Sequence, residues 1–164
     1  MINSTAIRLA VQIALVSFVA YLVGFHSTGL FHGASASVGG LWAAISGILV
    51  LQATRHDTWS SAALRILGSA IGSTISAFYL SVLPFSPIGM AASIFVAVLF
   101  CYVARIPSHA RLAALTVAVI MVTASINPTL NPILNAVLRL SESFIGTTTA
   151  VIVVLIWPGQ KELR

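Results

Sequence analysis

The stretch LRILGSAIGST at residues 64–74 returns 74 positions later as LRLSESFIGTT at residues 138–148. Six of the eleven positions are identical, including the leucine–arginine pair at the start and an isoleucine–glycine pair further on. Both stretches lie inside apolar segments long enough to cross a bilayer, where an arginine is costly and often functional. The duplication therefore predicts an internal repeat, and it marks Arg65 and Arg139 as candidate functional residues.

The composition of the chain is that of an integral membrane protein. Of its 164 residues, 59% are hydrophobic and only 7% are charged, whereas a soluble domain carries about 25% charged residues. No segment is polar enough for a separate soluble domain, so we predict a single transmembrane domain over residues 1–164. The net charge of +5 comes from single basic residues near segment ends, which does not indicate a nucleic-acid partner.

Six apolar segments predict an all-α membrane protein with six transmembrane helices. A helix needs about 20 mostly apolar residues to span a bilayer, and backbone polar groups in lipid require helices or closed barrels. The segments are too continuously apolar for the alternating strands of a barrel. Clusters of turn-forming residues separate most of them, at 26–29, 84–87, 106–108 and 127–132. The predicted spans cover residues 6–25, 36–53, 62–83, 88–104, 111–125 and 133–157.

The basic residues orient these spans, because Lys and Arg are enriched in cytoplasmic loops. Seven of the eight fall at or near the termini, the second loop or the fourth loop, whereas the other loops contain none. This distribution predicts that both termini are cytoplasmic. Arg139 is the exception, since it lies toward the outer end of the sixth span.

The offset of 74 residues maps the first three spans onto the last three. It predicts repeat one at about residues 6–83 and repeat two at about residues 86–158. Because three is an odd number of crossings, the second repeat enters from the opposite side, as in the inverted-topology repeats of many transporters. Inversion also accounts for Arg139, which becomes the outer counterpart of Arg65. The alternative is a chance likeness between two helices rich in small residues.

Glu142 is the only carboxylate inside a predicted span. At about 1.5 Å per residue it lies near the middle of the membrane, and its counterpart in the first repeat is Gly68. We therefore predict that Glu142 is a proton-coupling residue, whose proton affinity depends on burial and on a neighbouring arginine. The alternative is a structural ion pair, because Arg139 and Glu142 lie three residues apart on one helix.

Arg65 and Arg139 are the candidate substrate-binding residues, because a guanidinium holds a carboxylate through two parallel hydrogen bonds. The alternative for Arg65 is a side chain that reaches lipid head groups, since we place it close to the cytoplasmic boundary. Gly68, Gly72 and Gly146 are the predicted helix-packing residues, because the spacing G-x-x-x-G permits close helix crossing.

No motif indicates an enzyme, a metal site or a cofactor. The four histidines, predicted to lie in loops, are not paired with a Cys or a carboxylate at the spacing of a metal site. Cys101 stands alone in an apolar run, which predicts a small buried hydrophobic residue. The sequence contains no nucleophile motif and no phosphate-binding loop, so we predict no catalytic residues, no metal and no cofactor.

Two segments resemble the fusaric acid resistance (FUSC) and aromatic acid exporter families. The first is WAAISGILVLQAT at residues 42–54, followed by the pattern R-x-x-G-x-x-x-G at residues 65–72. The second is R-x-x-E-x-x-I-G at residues 139–146, in the span that ends at Pro158. The resemblance covers nearly the whole chain through the order and spacing of these motifs. The chain has Gln52-Ala53-Thr54 where the family typically has Gln-Pro-Thr.

The resemblance implies six helices in the inner membrane of a bacterium and proton-driven export of aromatic carboxylic acids. Family members usually continue into a helical cytoplasmic domain, whereas this sequence stops at Arg164, so we expect a copy that self-associates into a homo-oligomer. The expected partners are a small organic anion, the lipid bilayer and further copies of the chain. The alternatives are a non-transporting membrane scaffold or assembly subunit and an oligomeric passive channel.

Overall fold

The computed structural model describes residues 4–157 as helices joined by short turns. No β-strand occurs in this range, so the all-α prediction is confirmed. Two short 3-10 turns, Gly33–Ser35 and Pro107–His109, accompany six α-helices. These helices are α1 (Ser4–Phe31), α2 (Ala36–Val50), α3 (Arg55–Val82), α4 (Pro87–Val103), α5 (Ala110–Ile126) and α6 (Pro132–Ile156).

The six helices correspond to the six predicted spans. Among the described residues, five segments are long and apolar enough to cross a membrane, and α4 is a shorter apolar helix. The 17 residues of α4 extend over roughly 25 Å at about 1.5 Å per residue. The chain is therefore a helical membrane protein that crosses the bilayer several times.

The predicted turn at residues 26–29 is wrong, because α1 continues through it to Phe31. Ser27 Oγ donates a hydrogen bond to the carbonyl oxygen of Gly24 over 3.2 Å, so this polar residue is satisfied within the helix. His26 is consequently a helical residue and not a loop residue. The polar side chains that suggested a break are part of the last turns of α1.

The predicted start of α3 is also wrong, because the helix begins at Arg55. Thr54 Oγ1 accepts a hydrogen bond from the Asp57 backbone N–H over 3.1 Å and donates one to Asp57 Oδ2 over 2.7 Å. A threonine with an acidic residue three positions later resembles a capping box, which favours a helix start at this point. Arg65 therefore lies almost three turns inside α3, not at its beginning.

The predicted turns at residues 84–87 and 127–132 lie between helices. Ser86 Oγ accepts a hydrogen bond from the Gly89 N–H over 2.9 Å at the start of α4. Asn131 Oδ1 accepts hydrogen bonds from the N–H groups of Ile133 and Leu134 over 2.9 and 3.2 Å at the start of α6. Both helices therefore start at a side chain that satisfies otherwise unpaired backbone donors.

The boundaries of several elements recur at the offset of the sequence repeat. The two 3-10 turns begin at Gly33 and Pro107, which are 74 positions apart. The same separation relates the first residues of α2 and α5 and the last residues of α3 and α6. The local structure thus repeats with the period of the motif in α3 and α6.

The described residues form two compact units. The first unit comprises residues 4–63 and 142–157, and it contains α1, α2, the start of α3 and the second part of α6. Buried apolar residues form its core: Val16, Val50, Leu51, Ala62, Ala150, Val151 and Val154.

The second unit comprises residues 64–141, and it contains the rest of α3, α4, α5 and the first part of α6. Cys101 is fully buried in its core, as predicted for a small hydrophobic residue. The other buried members of this core are Ala97, Ala110, Ala113, Val117 and Met121.

Candidate functional site

Among the described residues, three side chains that can carry a full charge as Asp, Glu, Lys or Arg are fully buried: Glu142, Arg65 and Arg139. A charged residue at the centre of a transmembrane helix costs about 2.5–3.5 kcal/mol on insertion scales. Residues that carry such a cost are mostly functional or paired, so each of the three is a candidate functional residue of its own unit. Glu142 belongs to the first unit, and both arginines belong to the second.

Glu142 is held by a side chain of α1. Thr28 Oγ1 donates a hydrogen bond to Glu142 Oε1 over 2.7 Å, and Thr28 itself is buried. A hydroxyl that donates to a carboxylate forms a short, charge-assisted hydrogen bond. The interaction fixes one carboxylate oxygen of α6 against the C-terminal part of α1.

Gly39 of α2 provides the space for this carboxylate. A Cβ atom at Gly39 would lie 2.7 Å from Glu142 Oε1, and it would also collide with Thr28 Oγ1. Any larger residue at this position would displace the carboxylate or the hydroxyl. In the first unit, α1 therefore supplies a hydrogen-bond donor and α2 supplies a gap at the same oxygen atom.

Gly146 lies one turn after Glu142 on α6 and approaches the backbone of α2. A Cβ atom on it would collide with the Ala43 carbonyl oxygen and lie 2.8 Å from the Gly47 nitrogen. Absence of a side chain here lets the two helices cross closely. The predicted packing residue thus lies beside Glu142 on a tightly packed part of α6.

Sequence reasoning missed both Thr28 and Gly39. The assignment of residues 26–29 to a turn placed Thr28 outside the membrane-spanning helix. Gly39 belongs to a Gly-Gly pair in α2. Such a pair indicates that another helix approaches α2 closely, but it does not identify which residues lie against Gly39. A contact between residues 114 positions apart has no signal in a single sequence.

Arg65 is fully buried within the described structure, well inside α3. A side chain without exposed surface packs against protein, which favours an interior role for Arg65 over contact with lipid head groups. Substrate binding by Arg65 stays a prediction.

Arg139 is the second buried arginine, and it lies one turn after Asn135 on α6. The Asn135 side chain donates from Nδ2 to the carbonyl oxygen of Ile120 over 3.0 Å, which ties α6 to α5. Asn135 is itself fully buried. The part of α6 that carries Arg139 is therefore held against α5 by the hydrogen bond of Asn135. The predicted ion pair between Arg139 and Glu142 remains a prediction.

Gly68 and Gly72 lie on the face of α3 that packs against α5. A Cβ atom at Gly68 would lie 2.7 Å from Leu112 Cβ and 3.2 Å from the Ala113 nitrogen. At Gly72 it would lie 2.5 Å from the Ala113 carbonyl oxygen and 2.8 Å from Thr116 Cβ. The two glycines permit close contact between these helices.

The two arginines begin matching stripes of buried polar residues. Arg65, Ser69 and Ser73 follow one another at four-residue intervals in α3, and Arg139, Ser143 and Thr147 do so in α6. Residues four apart lie on one face of a helix. Each motif copy thus carries an arginine and two hydroxyls on a face that faces protein.

Three cavities in the second unit are lined by other residues. Their volumes are about 280, 350 and 550 Å³, and the largest is lined in part by Arg111, Ser108 and Tyr102. None of the three is lined by Arg65 or Arg139. Burial and chemistry therefore identify the candidate site better than cavity size. Across residues 4–157, no three His, Cys, Asp or Glu side chains cluster as metal ligands would.

A comparison with protein families identifies the family of this chain. The model of a family described as fusaric acid resistance protein-like matches residues 15–153, from α1 to α6. No curated protein and no solved structure matches the chain. The resemblance to the FUSC family is thus confirmed over most of the sequence. The chain belongs to the fusaric acid resistance protein-like family, a family of membrane transport proteins.

Proposed function

We propose that this protein is a proton-coupled exporter of organic acids, in particular aromatic carboxylic acids, in the inner membrane of a bacterium. The observation that carries the proposal is the buried carboxylate of Glu142, which accepts a hydrogen bond from Thr28 beside Gly39. A carboxyl group inside a membrane helix can bind and release a proton, which coupling to a proton gradient requires. Family membership supports transport in general.

The two buried arginines supply the anion-binding part of the proposal. Each guanidinium offers planar, paired N–H donors that match the two oxygens of a carboxylate. The hydroxyls that follow each arginine on the same helix face add neutral donors and acceptors. Arg65 and Arg139 thereby bind the carboxylate of the acid, while Glu142 carries the proton that drives export.

The proposed topology consists of two inverted repeats with both termini in the cytoplasm. Three observations support it: the 74-residue motif, the recurrence of helix boundaries at that offset, and the positions of the basic residues. Single cysteines that replace Gly33 and Ser108 in a Cys101→Ser background test it, because both positions are exposed in the 3-10 turns. A membrane-impermeant thiol reagent should label the first from outside and the second only from inside. Labelling from the same side would contradict inversion.

A homo-oligomer belongs to the proposal, because six helices leave little room for a path enclosed by one copy. Cross-linking in native membranes, followed by mass determination of the purified protein, measures the number of copies. A strictly monomeric protein that transports at the full rate would contradict this part of the proposal.

The central experiment compares Glu142→Gln with Asp57→Asn in proteoliposomes that carry a proton gradient. Both variants replace a carboxylate by its amide, but Asp57 is largely exposed near the start of α3. The probe is radiolabelled fusaric acid, with internal pH followed by a dye and protein-free liposomes correcting for passive diffusion. Glu142→Gln should abolish proton-driven movement of the acid and retain normal elution on size exclusion, whereas Asp57→Asn should transport normally.

Other outcomes identify the alternatives. Unchanged proton-driven transport by Glu142→Gln overturns the proposed mechanism. Movement of the acid without movement of protons, in the wild type as well, indicates a passive channel. If the wild type moves neither this acid nor benzoate, a non-transporting scaffold becomes the better explanation.

A further inference from the structure

We propose that Thr28 is the positioning residue of the proton-carrying carboxylate, with Gly39 keeping open the space in which its hydroxyl meets Glu142. This inference rests on the proposed function, because it assigns Thr28 a role only if Glu142 carries the proton. It adds one residue of α1 and one of α2 to the surroundings of Glu142, for which the sequence indicated only a neighbour on α6.

The hydroxyl of Thr28 is directed differently from comparable hydroxyls in the first unit. Ser17, Ser46 and Thr149 each donate to a carbonyl oxygen four residues earlier in their own helix, over 2.7 to 2.8 Å. This local bond is the common choice for a hydroxyl within a helix. Thr28 instead donates to Glu142, 114 positions away in the chain. The bond therefore links two helices at the carboxylate.

A hydroxyl suits a carboxyl group that gains and loses a proton. It donates to the oxygen of the ionised form, and it can accept from the O–H of the protonated form, because a hydroxyl is both donor and acceptor. An ammonium or guanidinium group can only donate. Thr28 thus keeps the Glu142 side chain in one place in both protonation states.

Gly39 makes this arrangement sensitive to a single methyl group. A Cβ at this position would approach Thr28 Cβ to 2.5 Å and Glu142 Oε1 to 2.7 Å. Contacts this short do not persist, so the carboxylate and the hydroxyl would separate. Gly29, next to Thr28 in sequence, offers a matched control: a Cβ there meets only Ala36 Cβ, at an ordinary distance of 3.5 Å.

The test measures proton-driven transport of fusaric acid in proteoliposomes for Thr28→Val, Thr28→Ser, Gly39→Ala and Gly29→Ala. Valine keeps the shape of threonine but removes the hydroxyl, so we expect the coupled rate to fall about tenfold, as for the loss of a hydrogen bond to a charged group. Thr28→Ser restores the hydroxyl and should restore the rate. Gly39→Ala should resemble Thr28→Val, and Gly29→Ala should resemble the wild type.

Infrared difference spectroscopy supplies a readout that a purely structural role would leave unchanged. The carboxyl band of Glu142 is identified as the band that disappears in Glu142→Gln. It should move in Thr28→Val and return to its position in Thr28→Ser, because its frequency depends on the hydrogen bond to that carboxyl group.

The outcomes separate this inference from the proposed function. If Glu142→Gln abolishes coupling while Thr28→Val retains the wild-type rate and band position, the role of Thr28 is wrong and the transport mechanism stands. If Glu142→Gln remains coupled, the mechanism itself fails. Should Thr28→Val not fold, the pair Gly39→Ala and Gly29→Ala decides: equal rates in these two variants would overturn the inference.

Discussion

One pair of equivalent positions distinguishes the contact of α6 with α2 in the first unit from the contact of α3 with α5 in the second by a charged side chain. In the first unit Glu142 lies against Gly39, and in the second Gly68 lies against Ala113. Each position in one pair is 74 residues from its counterpart in the other. The large side chain and the gap that receives it occur together in one unit only.

This difference shows how a duplicated scaffold can carry a single acidic group. Each unit crosses its helices closely through a shared glycine of the motif, Gly72 or Gly146. Each motif copy also retains a buried arginine followed by two hydroxyls. The carboxylate of Glu142 has no counterpart in the first copy, which has Gly68 at this position, and α2 accommodates it by having no side chain at Gly39. Among the described residues, Glu142 is therefore the one buried carboxylate of the chain.

Exchange of the two motif residues should produce the largest effect. Gly68→Glu forces a long acidic side chain against Leu112 and Ala113, so we expect a loss of about 3 kcal/mol of stability, close to the upper range for overpacking a core. Glu142→Gly leaves the Thr28 hydroxyl without its acceptor, at a cost of about 1–2 kcal/mol. Unfolding in detergent mixtures of increasing SDS content measures both. Equal losses of stability in the two variants would show that the two helix contacts do not differ in their ability to hold a carboxylate.

Alanine at the crossing glycines should have the next largest effect. In Gly146→Ala the new methyl group meets backbone atoms of Ala43 and Gly47, which cannot rotate away, so we expect a loss of about 2 kcal/mol. In Gly72→Ala the new methyl group meets the Ala113 carbonyl oxygen, so we expect a similar loss of stability. Gly33→Ala is the control, because nothing lies within 4 Å of its Cβ position. Full stability of Gly146→Ala in the same SDS titration would contradict the close crossing.

Lysine at the buried arginines should weaken substrate binding. Arg65→Lys and Arg139→Lys retain the charge but lose the paired donors, so the KM for fusaric acid should rise about tenfold with little change in kcat. Arg111→Lys is the matched control on an exposed residue of the second unit. Initial rates in proteoliposomes over a range of acid concentrations give both constants. If all three variants share the wild-type KM, the arginines have a structural role.

Loss of the caps of α3 and α6 should give the smallest effect and should be similar in both units. Thr54→Ala and Asn131→Ala each remove a side chain that accepts hydrogen bonds from backbone N–H groups. Each should lower the free energy of unfolding by about 1 kcal/mol. Serine at either position should restore most of this stability. Thermal unfolding followed by circular dichroism measures the change, and transport should persist. A loss of coupling in Thr54→Ala would mean that the start of α3 belongs to the transport machinery.

Much of the fold was predictable because lipid restricts the choices of the chain. Backbone groups without water must pair within a helix, so apolar segments of sufficient length become spans. The errors were local and had opposite causes. At residues 26–29, polar residues that often end helices are accommodated inside α1 by internal and long-range hydrogen bonds. At Thr54, the capping pattern formed with Asp57 starts α3 before the apolar segment begins.

The candidate site was predictable only in part. Glu142, Arg65 and Arg139 were identified because a charge stands out in an apolar helix. Thr28 and Gly39 could not be identified in this way, because a threonine and a glycine are ordinary residues of membrane helices. Their importance depends on a neighbour more than 100 positions away.

The amino-acid sequence alone specified the helices, the repeated motif and the rare charged residues, because these follow from local sequence patterns and transfer free energy. The packing of the folded chain decided which helices surround the carboxylate of Glu142. Close packing leaves room for a carboxylate only where a glycine faces it and a donor can reach it. The tertiary structure therefore added what surrounds Glu142: the hydroxyl of Thr28 and the gap at Gly39.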